Sequence, residues 1–244
     1  MMTDENVASA IERLKALVRA AEDEAVLAVM LHESWKPTAY DIDLQARMGT
    51  SCATHTFQIV RMALRRELLL AVPRVWDTNK QAVRLTAISE ILRDERCFDA
   101  LVRERAEHVR VRPDPEGLIR DALSPKRDKV LALTRKYMQN GECASVLADL
   151  RSIRHERLAH RQVEPARVEH KQATDEQIEE LYQDTLAIVT HLLSLVLANA
   201  FDIANQTSEV YGNHARFFWA AARGERTEGH PNYRPPGGLL HAGM

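Results

Sequence analysis

The stretch TDEQIEELYQDTLAIVTHLLSLVLANAF, Thr174 to Phe201, decides the fold class of this 244-residue chain. Thr174-x-x-Gln177 has the spacing of a capping box, in which each side chain satisfies a backbone N–H at a helix start. Ile178, Leu181, Leu186, Ile188, Val189, Leu192, Leu193, Leu195, Val196, Leu197 and Phe201 then recur as one apolar side of a long helix. The most apolar run, Leu186 to Ala198, is about 13 residues long, and a membrane span needs about 20. It is read as a buried helix, and His191 within it as a core histidine rather than a ligand.

Outward from this helix, every other periodic stretch is helical too. Downstream, residues 208–222 carry Val210, Tyr211, Phe217, Phe218 and Trp219 and predict a last helix. From Gly224 onward, Pro231, Pro235-Pro236 and Gly237-Gly238 predict a loose tail that holds no core. Upstream, Val163 to Gln172 reads as a polar loop around Pro165, and Ala144 to Leu158 as a helix with Val146, Leu147, Leu150, Ile153 and Leu158 on its apolar side. Asp114-Pro115 and Ser124-Pro125 both resemble helix starts. They predict a short helix, a bend, and a second helix from Pro125 to Gln139, closed by Asn140-Gly141. Val109 to Asp114 is a connector.

In the N-terminal half, Ile11, Leu14, Leu17 and Val18, then Ala25, Val29 and Met30, predict a first helix over residues 4–33. Ser34 to Arg47, with Pro37 and two aspartates, reads as a loop. Thr50 or Ser51 caps a helix running to Val72, which Pro73 ends or kinks. Arg74-Val75-Trp76-Asp77 follows. Thr78-x-x-Gln81 fits a capping box for a third helix with Val83, Leu85, Ala87, Ile88, Ile91 and Leu92, and Phe98, Leu101, Val102 and Ala106 mark a short fourth. No run alternates as a strand does. The expectation is an all-α multi-helix bundle, residues 1–223, with a flexible tail at 224–244.

Composition narrows the function classes. Hydrophobic residues make 45% and charged residues 28%, enough for a sizeable core. The formal net charge of -2 supplies no global field for a polyanion, so any such site is a local patch. Cys52, Cys97 and Cys143 are far apart with no C-x-x-C, against a disulfide framework or thiolate zinc site and in favour of a reducing compartment. The polar, acidic start MMTDENVASAIERL is no signal peptide, and a cytoplasmic location is expected.

The patch lies at Leu150–Arg161, LRSIRHERLAHR. Arg151, Arg154, Arg157 and Arg161 fall within about 120° of one helix face. Arginine holds phosphate through a fixed fork of donors, and histidine titrates near neutral pH. Arg154 and His160 would stand about 120° and about 9 Å apart on a straight helix. Convergence on one ligand therefore needs a helix end, a second subunit, or both. A solvated basic stripe and a helix-terminal histidine are the bland readings of the same residues.

Arg154-His155-Glu156-Arg157-Leu158-Ala159-His160 resembles the signature of HEPN domains: an Arg, usually followed by a polar residue, and a His after a short spacer. The wording Ile-Arg-polar-x-x-Leu-Ala-His before a polar loop and a long apolar helix is similar to HEPN proteins of the abortive-infection AbiU type, as is Arg74-Val75-Trp76-Asp77. The resemblance covers residues 5–205. It implies an all-α bundle that forms a homodimer, with the Arg and His of both copies at a shared cleft. Many members are metal-independent endoribonucleases of toxin or phage-defence systems, without a cofactor, and are paired with an antitoxin protein. Carried over by position, Arg154 would neutralise the scissile phosphate of an RNA, and His160 would be the acid or base in attack by its 2′-hydroxyl. His155 would support the pair, and Arg151, Arg157 and Arg161 would hold flanking phosphates. Trp76-Asp77 is read as structural, the Trp buried and the Asp bonded to a backbone group or an arginine, with a second-shell place for Asp77 as the alternative. Gln162 stands where some HEPN toxins carry a tyrosine that a partner modifies, so control by that modification is not expected.

The alternative is a HEPN-like module that binds a nucleotide, RNA or protein without chemistry, or a helical dimer with a structural role only. Competing constellations fail: His155-Glu156 and His160 miss the zinc-protease spacing, and Glu104, Glu107 and His108 miss the helical di-iron arrangement.

Overall fold

A computed structural model describes residues 4–49, 53–79, 82–109, 113–153 and 173–222. The described residues form helices α1 (Asp4–Tyr40), α2 (Ile42–Gly49), α3 (Thr54–Ala71), α4 (Leu85–Arg93), α5 (Glu95–Ala106), α6 (Pro115–Tyr137), α7 (Ala144–Ile153), α8 (Asp175–Leu197) and α9 (Ser208–Ala222). A 3-10 turn, Val72–Val75, follows α3, and a π turn, Ile203–Thr207, precedes α9. No strand occurs among them; Trp76 and Arg84 make one isolated antiparallel bridge. The all-α expectation holds.

The bundle is built around α1 and α8, which pack on each other. On one side α1 meets α3 and α9; on the other α8 meets α6, which in turn carries α4 and α5. Leu14, Val18, Ala21, Ala25 and Val29 of α1 are buried against Leu181, Leu186, Val189, Leu192, Leu193 and Val196 of α8 in one continuous core. Thr174 accepts from the Gln177 amide and the Gln177 side chain accepts from the Thr174 amide, so the capping box forms as the sequence predicts.

Several expected boundaries move. Residues 34–47 are helix rather than loop. Proline lacks an N–H and costs about 3 kcal/mol inside a helix, but α1 continues through Pro37 because Trp35 before it and Thr38 after it are both buried. The Thr38 hydroxyl donates to the Trp35 carbonyl at 2.6 Å, and the Arg65 guanidinium lies over the Trp35 ring at 4.4 Å. Asp41 then caps α2 by accepting from the Leu44 amide at 2.9 Å. Leu44 and Met48 of α2 close a second small core with Phe57, Ala215 and Trp219.

Ser124-Pro125 does not divide the segment into two helices: α6 is one helix with Pro125 inside it. Leu123 on one side and Val130, Leu133 and Tyr137 on the other are buried, and that packing outweighs the lost bond. The Thr78-x-x-Gln81 box does not start α4. Asp77 Oδ1 takes the amides of Thr78 at 2.6 Å and Asn79 at 2.9 Å, and α4 begins only at Leu85, with Arg84 as an N-cap that bonds no side chain. The α8 helix stops at Leu197, short of Phe201. Ala198 turns into the left-handed region at φ 58°, and Arg105 Nη2 donates to the carbonyls of Ser194 and Leu195 at 3.3 Å each. Asn140, also at positive φ, and Gly141 close α6 as expected. A Cβ on Gly141 would meet the Lys136 carbonyl at 2.3 Å.

Candidate functional site

The residues of the basic stretch divide at Ile153, the last described residue of α7. Val146, Leu147 and Leu150 are buried and hold α7 against α6 and α8. Arg151 lies in its last turn, half-buried. Arg154, His155, Arg157, His160 and Arg161 lie outside the described residues, so the structure does not bear on the pairing of Arg154 with His160.

Arg151 Nη2 donates to the backbone carbonyl of Trp76 at 2.7 Å. Trp76 is 1% exposed. Its indole N–H donates to Thr185 Oγ1 of α8 at 2.9 Å, while the Thr185 hydroxyl donates to the Leu181 carbonyl at 2.6 Å. The indole also packs on the Tyr137 ring of α6, with centroids 5.1 Å apart. One tryptophan therefore joins α6, α7 and α8 at the place where the chain enters the basic stretch. Asp77 bonds backbone, as its structural reading expects: one oxygen accepts from the Thr78 and Asn79 amides of its own turn. Arg151 reaches the backbone one residue before it.

Beside this junction the Tyr137 hydroxyl donates to Asp184 Oδ2 at 2.8 Å. Lys136 Nζ donates to the same oxygen at 2.7 Å and to Glu180 Oε1 at 2.6 Å. Burial opposes the Lys136 charge, but these two carboxylates hold its pKa well above the ordinary lysine value. Burial and the bond to Asp184 push the Tyr137 hydroxyl up likewise, so it stays a neutral donor.

A second polar cluster escaped the sequence reading. His32 of α1 is 3% exposed and stacks on the Tyr182 ring of α8 with centroids 4.3 Å apart. Its Nδ1 meets Glu33 Oε1 at 3.1 Å and its Nε2 meets Glu179 Oε2 at 3.0 Å. Burial disfavours the charged ring, yet the bonds to Glu179 and Glu33 outweigh it and raise the imidazole pKa above its usual value. The His32 bond in turn draws the Glu179 carboxyl down to about 2, against partial burial and with help from the Gln183 amide. Both ring nitrogens are occupied, so His32 ties α1 to α8 and has no free position for proton transfer to a substrate. His191, half-buried on α8, is pushed below the ordinary histidine value by burial, then by Lys126 and Lys129.

A cleft of about 420 Å³ lies at the other end of α8, lined by Lys15, Arg19, Glu104, Arg105 and His108. Two of its cations are already engaged, Lys15 with Glu12 and Glu104 and Arg105 with helix carbonyls. It is separated from the N-terminus of α8 by about 33 Å of helix.

A long paired core of α1 and α8, flanked by shorter helices that lead into an Arg/His-bearing segment, defines an all-α bundle of HEPN type. The AbiU2 model of HEPN domains matches residues 11–218, and the chain belongs to that family. No curated protein and no solved structure matches it. Among the described residues, no helix is long and apolar enough to cross a membrane.

Proposed function

We propose that the protein is a metal-independent endoribonuclease of the abortive-infection or toxin type, acting in the cytoplasm as a homodimer with an antitoxin protein as its natural restraint. The observation that carries the reading is the Arg154–His160 motif in a chain of the AbiU2 family. Arg154 neutralises the scissile phosphate as charge develops on it. His160 moves the proton of the attacking 2′-hydroxyl or of the leaving 5′-oxygen. His155 orients this pair, and Arg157 and Arg161 hold neighbouring phosphates. Two copies of the motif at one dimer cleft meet the need for convergence that a single straight helix leaves open. The test is incubation of total RNA with purified protein in a chelator, comparing wild type with Arg154→Ala and His160→Ala. Cutting by wild type alone supports the reading. Equal cutting by all three overturns it, and tight binding with no product assigns the protein to the non-catalytic HEPN class instead.

A further inference from the structure

We infer that the C-terminal end of α8 carries a phosphate-binding face, formed by Arg105, Lys126 and Lys129 around Ser194, that holds the backbone of a single-stranded RNA. The choice of RNA rests on the ribonuclease reading; the phosphate chemistry of the face does not. Two helices bring a cation to the same serine. Arg105 of α5 donates through Nη2 to the Ser194 carbonyl at 3.3 Å, and Lys126 of α6 donates to Ser194 Oγ at 2.5 Å. Lys129 follows about one turn along α6, and His191 precedes Ser194 by about one turn of α8. The charged groups acting on the His191 ring are Lys126 and Lys129, both cations, so charge lowers its pKa in the same direction as burial. This part of the α6–α8 face is therefore positive.

Other cations of α6 are matched by carboxylates: Arg120 by Asp99, Arg127 by Glu95, and Lys136 by Glu180 and Asp184. Among the described residues, none of Arg105, Lys126 and Lys129 is bonded to a carboxylate. Arg105 is half-buried, and burial draws its pKa down, opposed only by the charge of Glu104, which bonds Lys15 instead. A buried cation without an anion is costly. The α8 carbonyls at Ser194 and Leu195 supply about half a negative charge and occupy one nitrogen of a fork with five N–H donors. Lys126 likewise keeps two of its three ammonium donors. Such free, charged donors suit phosphate oxygens, and they stand beside the cleft of about 420 Å³ that Arg105 lines together with the exposed Arg19. In a chain of net charge -2 the surplus is local to this end of the bundle. Contacts to phosphates carry no sequence information, so the face holds RNA and DNA strands alike.

The experiment measures the salt dependence of binding a fluorescein-labelled single-stranded RNA, and DNA of the same sequence, to the full chain carrying His160→Ala so that no strand is cut. In this background Lys126→Gln with Lys129→Gln is compared with Lys126→Arg with Lys129→Arg. A charge-matched control, Arg47→Gln with Arg216→Gln, removes two exposed arginines of α2 and α9. On single strands each phosphate contact adds about 0.7 to the salt slope, which is about 5-fold in affinity at 0.1 M salt relative to 1 M. The glutamine pair is therefore expected to bind both strands about 25-fold more weakly at 0.1 M, with a slope smaller by about 1.4. The arginine pair and the control keep the affinity and slope of the parent. Unchanged affinity and slope in the glutamine pair overturn the inference. An equal loss in the control overturns it too, because the effect is then one of net charge alone. If wild type cuts no RNA the ribonuclease reading falls, and strand binding still decides the face by itself.

Discussion

Replacing His32 by alanine removes a side chain that bonds carboxylates on both central helices, and its cost is set by the burial of each arm. The Glu33 arm is nearly closed to solvent, its side chain 11% exposed, so losing that charge-assisted bond costs about 2 kcal/mol. The Glu179 side chain is 44% exposed, and screening by water reduces that arm to about 0.5–1 kcal/mol. The lost stack on Tyr182 adds about 1 kcal/mol. Destabilisation of about 3.5–4 kcal/mol lowers Tm by about 7–16 °C in a protein of this size.

The pH dependence carries a sign. The groups that face the ring are Glu33 on its own helix and Glu179 and Tyr182 on α8, with Lys36 acting on Glu179. His32 has a raised folded pKa, so its contribution is fully present below the unfolded value of about 6.5 and is lost as pH rises through the folded value. Glu179, held at about 2, contributes above its unfolded value of about 4.5 and loses that contribution as pH falls toward 2. The stability gap between wild type and His32→Ala, measured by urea unfolding from pH 4 to 9, is therefore widest between about pH 4.5 and 6.5 and narrows above it. A gap under about 1 kcal/mol, or one that widens as pH rises past 7, would refute the assignment of His32 as a charged link between α1 and α8.

Two further outcomes test the backbone account. Ala198→Gly relieves the left-handed strain at φ 58° against the flexibility glycine adds to the unfolded chain, and is expected to raise stability by about 0.5 kcal/mol; a loss in thermal unfolding contradicts it. Pro125→Ala restores an N–H in the middle of α6 and is expected to stabilise by about 1 kcal/mol or more, whereas destabilisation would mean that the ring itself is needed for packing.

The helices were legible where apolar residues recur at helical spacing without interruption, as from Thr174 to Leu197 or from Ile11 to Met30. They were misread where a local breaker competes with burial. Pro37 and the aspartates beyond it made residues 34–47 look like a loop, although Trp35, Leu44 and Met48 are all core residues. Ser124-Pro125 reads as the start of a second helix, yet buried residues on both sides of it keep α6 one element. Ala198 carries no glycine to announce the end of α8; Arg105, 89 residues before Ser194, supplies that end from another helix. The same limit applies to the site. Arg154 and His160 form a linear motif and are visible as such. Arg151 with Trp76, 75 residues apart, and His32 with Glu179, 147 apart, are created only by packing, and no spacing in the chain encodes them.

The central claim is that Arg154 and His160 direct attack by an RNA 2′-hydroxyl without metal. It is tested most directly by the ends left on a labelled RNA cut in the presence of a chelator, with DNA of the same sequence and the His160→Ala protein as controls. The expected result is a 2′,3′-cyclic phosphate and a 5′-hydroxyl from wild type, an intact DNA, and no product from His160→Ala. Ends bearing a 5′-phosphate, cutting that appears only with magnesium, or equal cutting by His160→Ala would contradict it.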